Sequence, residues 1–492
     1  MLPIFVIIPL GCAFLIPLVF KIRLFLARLL AIFCGSALLF FSLSSIWWLK
    51  TGIKIYTVGG WRPPFGICMV LDGLTVLMLL VVNIIGALSL IYSWDYAKRY
   101  TSEYLYYTLF CLLLAGLNGV VISGDLFNLF VFLEITSIAS YSLVAFGVEA
   151  EELEASFKYL VLGSVASTLV LFAIGMLLGN TSTLNMADIS RSLNISTSPN
   201  LILYSAALFI MGFALKTGLV PFHAWLADAH SSAPAPMSAM LSGVVIKTIG
   251  VYALVRVMFN IIGFSVVVSN IFIWLGIISM AVGVLLAIGQ WDFKRLLAYH
   301  SVSQIGYVIF GIGLGTPLGI IGGLFHLFNH SLFKSLLFLN AGSVEYATGH
   351  RQLDKLDGLA PEMPVTAKTS MIASLSISGI PPFCGFWSKL IIIIAAFQAH
   401  HLIGAITCIV VGIITLASFL KVQKYAFLRR IKDAASGIKE VPLSMKFSMV
   451  VLALLCLGVG LFFIPVLNSL IKPAAEALLL GRGYANLILG VP

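Results

Sequence analysis

Charge is scarce in this sequence. Only 10% of its 492 residues are Asp, Glu, Lys or Arg, against 60% that are hydrophobic. Soluble domains carry roughly 25% charged and 45–50% apolar residues. A mean hydropathy of +1.08 therefore excludes a cytosolic enzyme, a secreted protein and a nucleic-acid binder. Paired cysteines are missing too. Cys12, Cys34, Cys68, Cys111, Cys384, Cys408 and Cys456 form no CxxC pair and mostly lie inside apolar runs, which argues against an iron–sulfur cluster, a zinc ribbon or a disulfide framework. There is no Walker-type phosphate loop, no dinucleotide fingerprint after a strand and no nucleophile elbow. No redox or hydrolytic chemistry and no cofactor is expected of this chain, so its energy must arrive as an ion gradient or from a partner. No charged region precedes the first apolar run and no small-residue cleavage site follows it, so 2–20 reads as a retained span.

What is present is a succession of apolar runs. A membrane span takes about 20 residues, and runs of that order predict about fourteen spans near 2–20, 29–49, 70–93, 105–123, 126–147, 157–179, 201–226, 236–260, 268–289, 296–314, 317–342, 366–397, 402–420 and 446–470. The runs are apolar all round and too long for barrel strands, which predicts an all-α polytopic membrane protein. Alternate loops collect the basic residues: Lys21, Arg23, Arg28, Lys98, Arg99, Lys294, Arg295, Arg351, Lys355, Lys421, Lys424, Arg429, Arg430, Lys432 and Lys439. The other side has Lys50, Lys54, Arg62 and Arg191, with Arg256 near a helix end. The positive-inside rule makes the rich side cytoplasmic and puts both termini on the outer side of the cell membrane. The acidic run at 149–154 dissents, but carboxylates count little in this rule.

Two spans are interrupted alike, by KTGLVPFHAW at 216–225 and GIPPFCGFW at 379–387. A proline inside a helix removes a backbone bond, and in hydrocarbon the freed groups need neighbours or a water-lined cavity. Paired broken helices point to a transport site in a repeat-built carrier; two unrelated proline kinks are the plainer reading.

Ionisable residues inside the spans carry the chemistry. Glu134 is a mid-span carboxylate. Lys216 precedes the first break, Lys247 lies near the middle of its span and Lys389 follows the second break. His326, His330 and Lys334 recur every four residues, so they share one helix face over about 12 Å. Each charge at mid-bilayer costs about 2.5–3.5 kcal/mol, so these groups are expected to face inward, pair and touch water. Snorkelling suits Lys334 or Lys389 better than Lys247. Glu134 and Lys216 read as an adjustable pair that hands protons to Lys247 and the histidines, since histidine titrates near neutral pH. The i,i+4 histidines could instead ligate zinc, but no Cys, Asp or Glu lies nearby in sequence, and no metal is expected. His223, His230 and His300 are as readily packing histidines as relay members.

Three longer stretches, PFHAWLADAHSSAPAP at 221–236, KRLLAYHSVSQIGY at 294–307 and SGIPPFCGFWSK at 378–389, resemble the signatures of the antiporter-like membrane subunits. Such subunits occur in respiratory complex I, Mrp sodium/proton antiporters and membrane-bound hydrogenases. GDLFNLFVFLE at 124–134 resembles the D-type Mrp subunit and its hydrogenase counterpart. The resemblance implies two inverted five-helix repeats, each with a broken helix at mid-membrane. The division that follows is an N-terminal three-helix part at 1–104, repeats at 105–260 and 261–430, and a final span with its tail at 431–492. It further implies proton translocation through Glu134, Lys216, Lys247, Lys334 and Lys389 with His326 and His330, in company with other membrane subunits; protons are the expected cargo, and sodium is left open. Ala227 stands where many relatives have Pro, and His300 where they often have Ser. A stand-alone carrier for a small solute and a purely structural subunit are the competing readings.

Overall fold

The computed structural model describes residues 1–193, 199–356, 358–429 and 438–490. Arg430 and Lys432, and the proposed boundary at 430/431, lie outside them. The described chain is a helical bundle with one small addition, an antiparallel hairpin pairing Lys54–Thr57 with Cys68–Leu71. Among the described residues eleven helices are long and apolar enough to cross a membrane, or twelve if one bent pair is counted as a span. The expected count of fourteen is not reached by that measure. Ile4–Val19 and Cys384–Gln398 are too short, at 16 and 15 residues, and Pro317–Thr348 is long enough but carries His326, Asn329, His330, Lys334 and Asn340.

Both expected breaks are present. Pro199–Thr217 stops before Ala224–Ser232, and Pro364–Ser378 stops before Cys384–Gln398. Each first half ends on a left-handed glycine, Gly218 at φ +72° and Gly379 at φ +81°, a conformation open to a residue without Cβ. Trp225 bridges its break by donating Nε1–H to the Leu215 carbonyl at 3.0 Å. One further break was not expected. The run read as a single span at 446–470 ends at Leu461, and Phe463–Leu479 and Gly481–Leu489 follow, bent by 97° to each other. Phe462 has non-helical dihedrals, and Pro465 has no amide hydrogen to continue the ladder. Hydropathy alone does not register the break at Phe462, and the 97° corner itself falls later, at Leu480.

The two halves repeat in detail. Asp125 caps Leu126–Val144 through the Asn128 amide, and Asp292 caps Phe293–Gly313 through the Arg295 amide. Each capping aspartate then forms an isolated antiparallel bridge to the loop after the next helix, Asp125 with Asn185 and Asp292 with Gln352. The intervening helices, Ala150–Thr181 and Pro317–Thr348, are both 32 residues long. Five crossings separate the two aspartates, so the equivalent bridges fall at opposite ends of the bundle.

The basic loops gather at one end. Arg351 pairs with Glu151 and with Asp292, both at 2.7 Å, while Lys158 and Arg295 share Asp228 at 2.9 and 3.1 Å. Glu151 and Glu154 of the acidic run at 149–154 thus pair with cations of the basic end. Burial pushes the Asp292 carboxyl above its ordinary range, against the opposing pull of the Arg295 amide and the Arg351 guanidinium. Lys294, counted as a loop charge, is instead buried and paired with Glu345 at 2.7 Å.

Candidate functional site

The interior charges lie on five helices that the breaks and glycines bring together. Lys216, in the last turn of Pro199–Thr217, is 3.7 Å from Glu134 and donates to Ser137 Oγ at 3.2 Å. Glu134 also accepts from Ser167. Its carboxylate is one-third exposed, so it stands at the rim of the bundle rather than wholly within it.

Lys247 is fully buried in a π-helical stretch, Leu241–Tyr252, of a helix that is buried throughout. π-helical turns are rare and frequent at functional sites, and here the lysine folds back onto carbonyls of its own preceding turn. The Lys247 ammonium donates to two of them, Ser242 O at 2.5 Å and Gly243 O at 2.9 Å. From there a chain of contacts crosses to the second half. Ser242 Oγ meets Ser301 Oγ at 2.7 Å, Ser301 Oγ donates to Leu297 O at 3.2 Å, and Lys334 donates to the same Leu297 carbonyl. Neither serine was singled out in the sequence. No direct hydrogen bond joins Lys216 to Lys247 among the described residues.

Beyond Lys334 the shared helix face is as expected. The His326 and His330 rings stack with centroids 6.3 Å apart. His326 bonds Ser388 Oγ at 2.9 Å and Gln304 Oε1 at 3.1 Å, while both ring nitrogens of the buried His330 lack a protein partner. Lys389, beside Ser388, donates to Ile377 O at 2.6 Å across the second break and lies over the Tyr307 ring. Snorkelling does not describe it or Lys334, since both are buried.

The three other candidate histidines differ. His230 is fully buried against Phe338 with neither nitrogen bonded to protein. His300 is fully buried and bonds Ser418 Oγ at 2.8 Å. His223 is half-buried at the first break, its ring 6.5 Å from that of Tyr299. Among the described residues no group of three His, Cys, Asp or Glu side chains is placed to hold a metal, and His326 and His330 are engaged with or surrounded by non-ligands. Asp72 and Arg256 form a second buried charged centre that was not expected, joined by two bonds of 2.7 and 2.9 Å.

A bundle with two broken helices and a line of buried lysines and histidines defines a polytopic membrane protein of the ion-translocating type. The chain belongs to the family described as NADH:quinone oxidoreductase/Mrp antiporter, which matches residues 123–415, and residues 57–107 match the complex I chain 5 N-terminus. It is 37% identical to the D-type subunit of the Na(+)/H(+) antiporter of Alkalihalophilus pseudofirmus over 383 residues, 77% of each chain. Among solved structures it resembles a chain of the Mrp complex from Dietzia sp. DQ12-45-1b, with TM-score 0.91, 29% identity and 99% of each chain covered. It likewise resembles a chain of the membrane-bound sulfane sulfur reductase, an archaeal respiratory membrane complex, with TM-score 0.92, 28% identity and 99% coverage of each.

Proposed function

We propose that this chain is a proton-translocating subunit of a larger ion-transporting membrane complex, either an Mrp-type sodium/proton antiporter or a redox-driven respiratory assembly. The observation that carries the reading is the row of buried lysines, in which the carbonyls holding Lys247 and Lys334, Ser242 O and Leu297 O, are bridged by the Ser242–Ser301 hydroxyl contact, with water completing the transfer because a carbonyl carries no proton. Lys247, Lys334 and Lys389 are each held by backbone carbonyls. A carboxylate partner would fix the positive charge in place, whereas a carbonyl binds the ammonium without locking it. Among the described residues Glu134 is the one acid in contact with the lysine line, and it can hold or release Lys216 according to its position. His326 and His330 continue the line toward Lys389. Buried ring nitrogens without protein partners call for water, which suits a hydrated relay at His330 and His230, with His223 placed at the first break.

A mid-span carboxylate one-third exposed is costly against lipid, so the rim at Glu134 favours a neighbouring membrane subunit over a self-sufficient carrier. The internal correspondence supports repeats at about 105–260 and 261–430, after an N-terminal part at 1–104 and before a C-terminal part at 431–492. The end bearing Arg351, Lys158 and Arg295 is assigned to the cytoplasm by the positive-inside rule, which leaves both termini outside the cell membrane. The test is dye-monitored proton movement in vesicles carrying the assembled complex. Glu134→Ala and Lys216→Ala should each abolish it, and a variant that pumps at the parental rate overturns the assignment.

A further inference from the structure

Among the described residues His300 is the one interior histidine bonded to a side chain of the outer helix Leu402–Val422. Its Nε2 meets Ser418 Oγ at 2.8 Å, and its Nδ1 finds no protein partner. One turn earlier on its own helix, the Leu297 carbonyl receives the Lys334 ammonium. One turn beyond Ser418, Lys421 reaches the basic end of the bundle, where it donates to Ile288 O and Gln290 O, both at 2.7 Å, and lies over the Trp291 ring. Gln290 and Trp291 also line a polar cavity of about 770 Å³ that Asp292, Arg295 and Arg351 help to form. The charged groups acting on His300 come from three helices and are Lys334, Lys389 and Lys421; Phe419 covers its ring at 4.8 Å.

We propose that Lys421, Ser418 and His300 form a second entrance, joining the cavity at the basic end to Lys334 with water between Lys421 and Ser418 and between His300 and Lys334. The proposal rests on the reading of the lysine line as a proton path and adds a branch that enters it at its middle. In one passage, from the Nδ1–H tautomer of His300, the Ser418 hydroxyl gives its proton to Nε2 as it takes another from a water that Lys421 has protonated. The resulting imidazolium releases its Nδ1 proton through water to the unprotonated Lys334 amine. Lys421 is reloaded from the cavity, and His300, left neutral with its proton on Nε2, turns its ring to restore the Nδ1–H tautomer before the next passage, so no net charge is left on the branch.

Three variants of the full chain in the assembled complex test this: Lys421→Gln, His300→Ala and the double substitution, each with the rate of proton movement followed against pH. A shared path predicts that each single variant slows the rate about tenfold or more, toward the scale of a lost positioned proton donor, that the double slows it no further, and that the pH profile shifts. A packing role alone would lower the amount of complex and leave the profile unchanged, which would overturn the proposal. If His300→Ala does not assemble, Lys421→Gln decides alone, since it alters a partly exposed group. In a separate variant, Ser418→Cys should react with a small water-borne thiol reagent applied from the basic end faster than the seven native cysteines do; an unreactive Cys overturns the branch. Glu134→Ala runs alongside. Loss of pumping there with parental rates in the branch variants overturns only the entrance, whereas parental rates in Glu134→Ala overturn the underlying reading.

Discussion

Single residues divide into those whose type alone betrays them and those whose placement does. A lysine in the middle of an apolar run is costly enough to be noticed, so Lys216, Lys247, Lys334 and Lys389 were legible in the sequence. Serine is different. A hydroxyl in a helix commonly bonds the carbonyl one turn back, as Ser301 does with Leu297, and nothing in the sequence tells Ser242 and Ser301 from the many that do only that. Their 2.7 Å contact joins helices from the two halves. Ser301→Ala should therefore slow proton movement while leaving assembly intact, and Ser242→Ala should do the same; their double variant should be no slower than either single one. Initial rates in vesicles, normalised to assembled complex, check this. Lys247→Ala removes the donor itself and should cost about 10²-fold or more in the same assay.

At the level of elements, the paired breaks could be read because proline and glycine punctuate any helix. The break at Phe462 was missed because the run stays apolar through it, although Pro465 is the kind of signal that marked the other two. Close packing was equally hidden. Between Val266–Ile288 and Phe293–Gly313, Gly276, Gly283, Gly306 and Gly313 sit where a Cβ would lie 2.6–2.7 Å from atoms of the facing helix. Helices in lipid associate through such small residues, since lipid offers no hydrophobic drive between them. The His300–Ser301 turn belongs to one of these helices, so their separation is set by glycine. Gly306→Val should overpack the contact and destabilise by about 1–3 kcal/mol, read as a lower thermal midpoint of the purified complex.

For the molecule as a whole, the first repeat is also tied to the N-terminal and C-terminal parts by groups far apart in the chain. Arg256 is clamped on Asp72, lies between the Tyr252 and Tyr484 rings, and bonds Asn260, which in turn donates to Ala477 O. That centre anchors the bent C-terminal helices to the core, and a separation of 184 residues between its ionic partners put it beyond sequence inspection. Arg256→Met strands a buried carboxylate and should destabilise by about 3–5 kcal/mol. Replacing Asp72 by Leu as well should recover much of the loss, and thermal unfolding of single and double variants distinguishes the two outcomes. The orientation has its own check: a cysteine at His350 should be labelled by an impermeant reagent only from the cytoplasmic face.

Asp125 and Asp292 fasten equivalent loops at opposite ends. A molecule assembled this way owns a single fitting used twice, once toward each water phase. Damage to one copy should then impair exchange with one compartment and spare the other, so that Asp125→Ala and Asp292→Ala become mirror-image lesions, separable by which side of the vesicle is acidified.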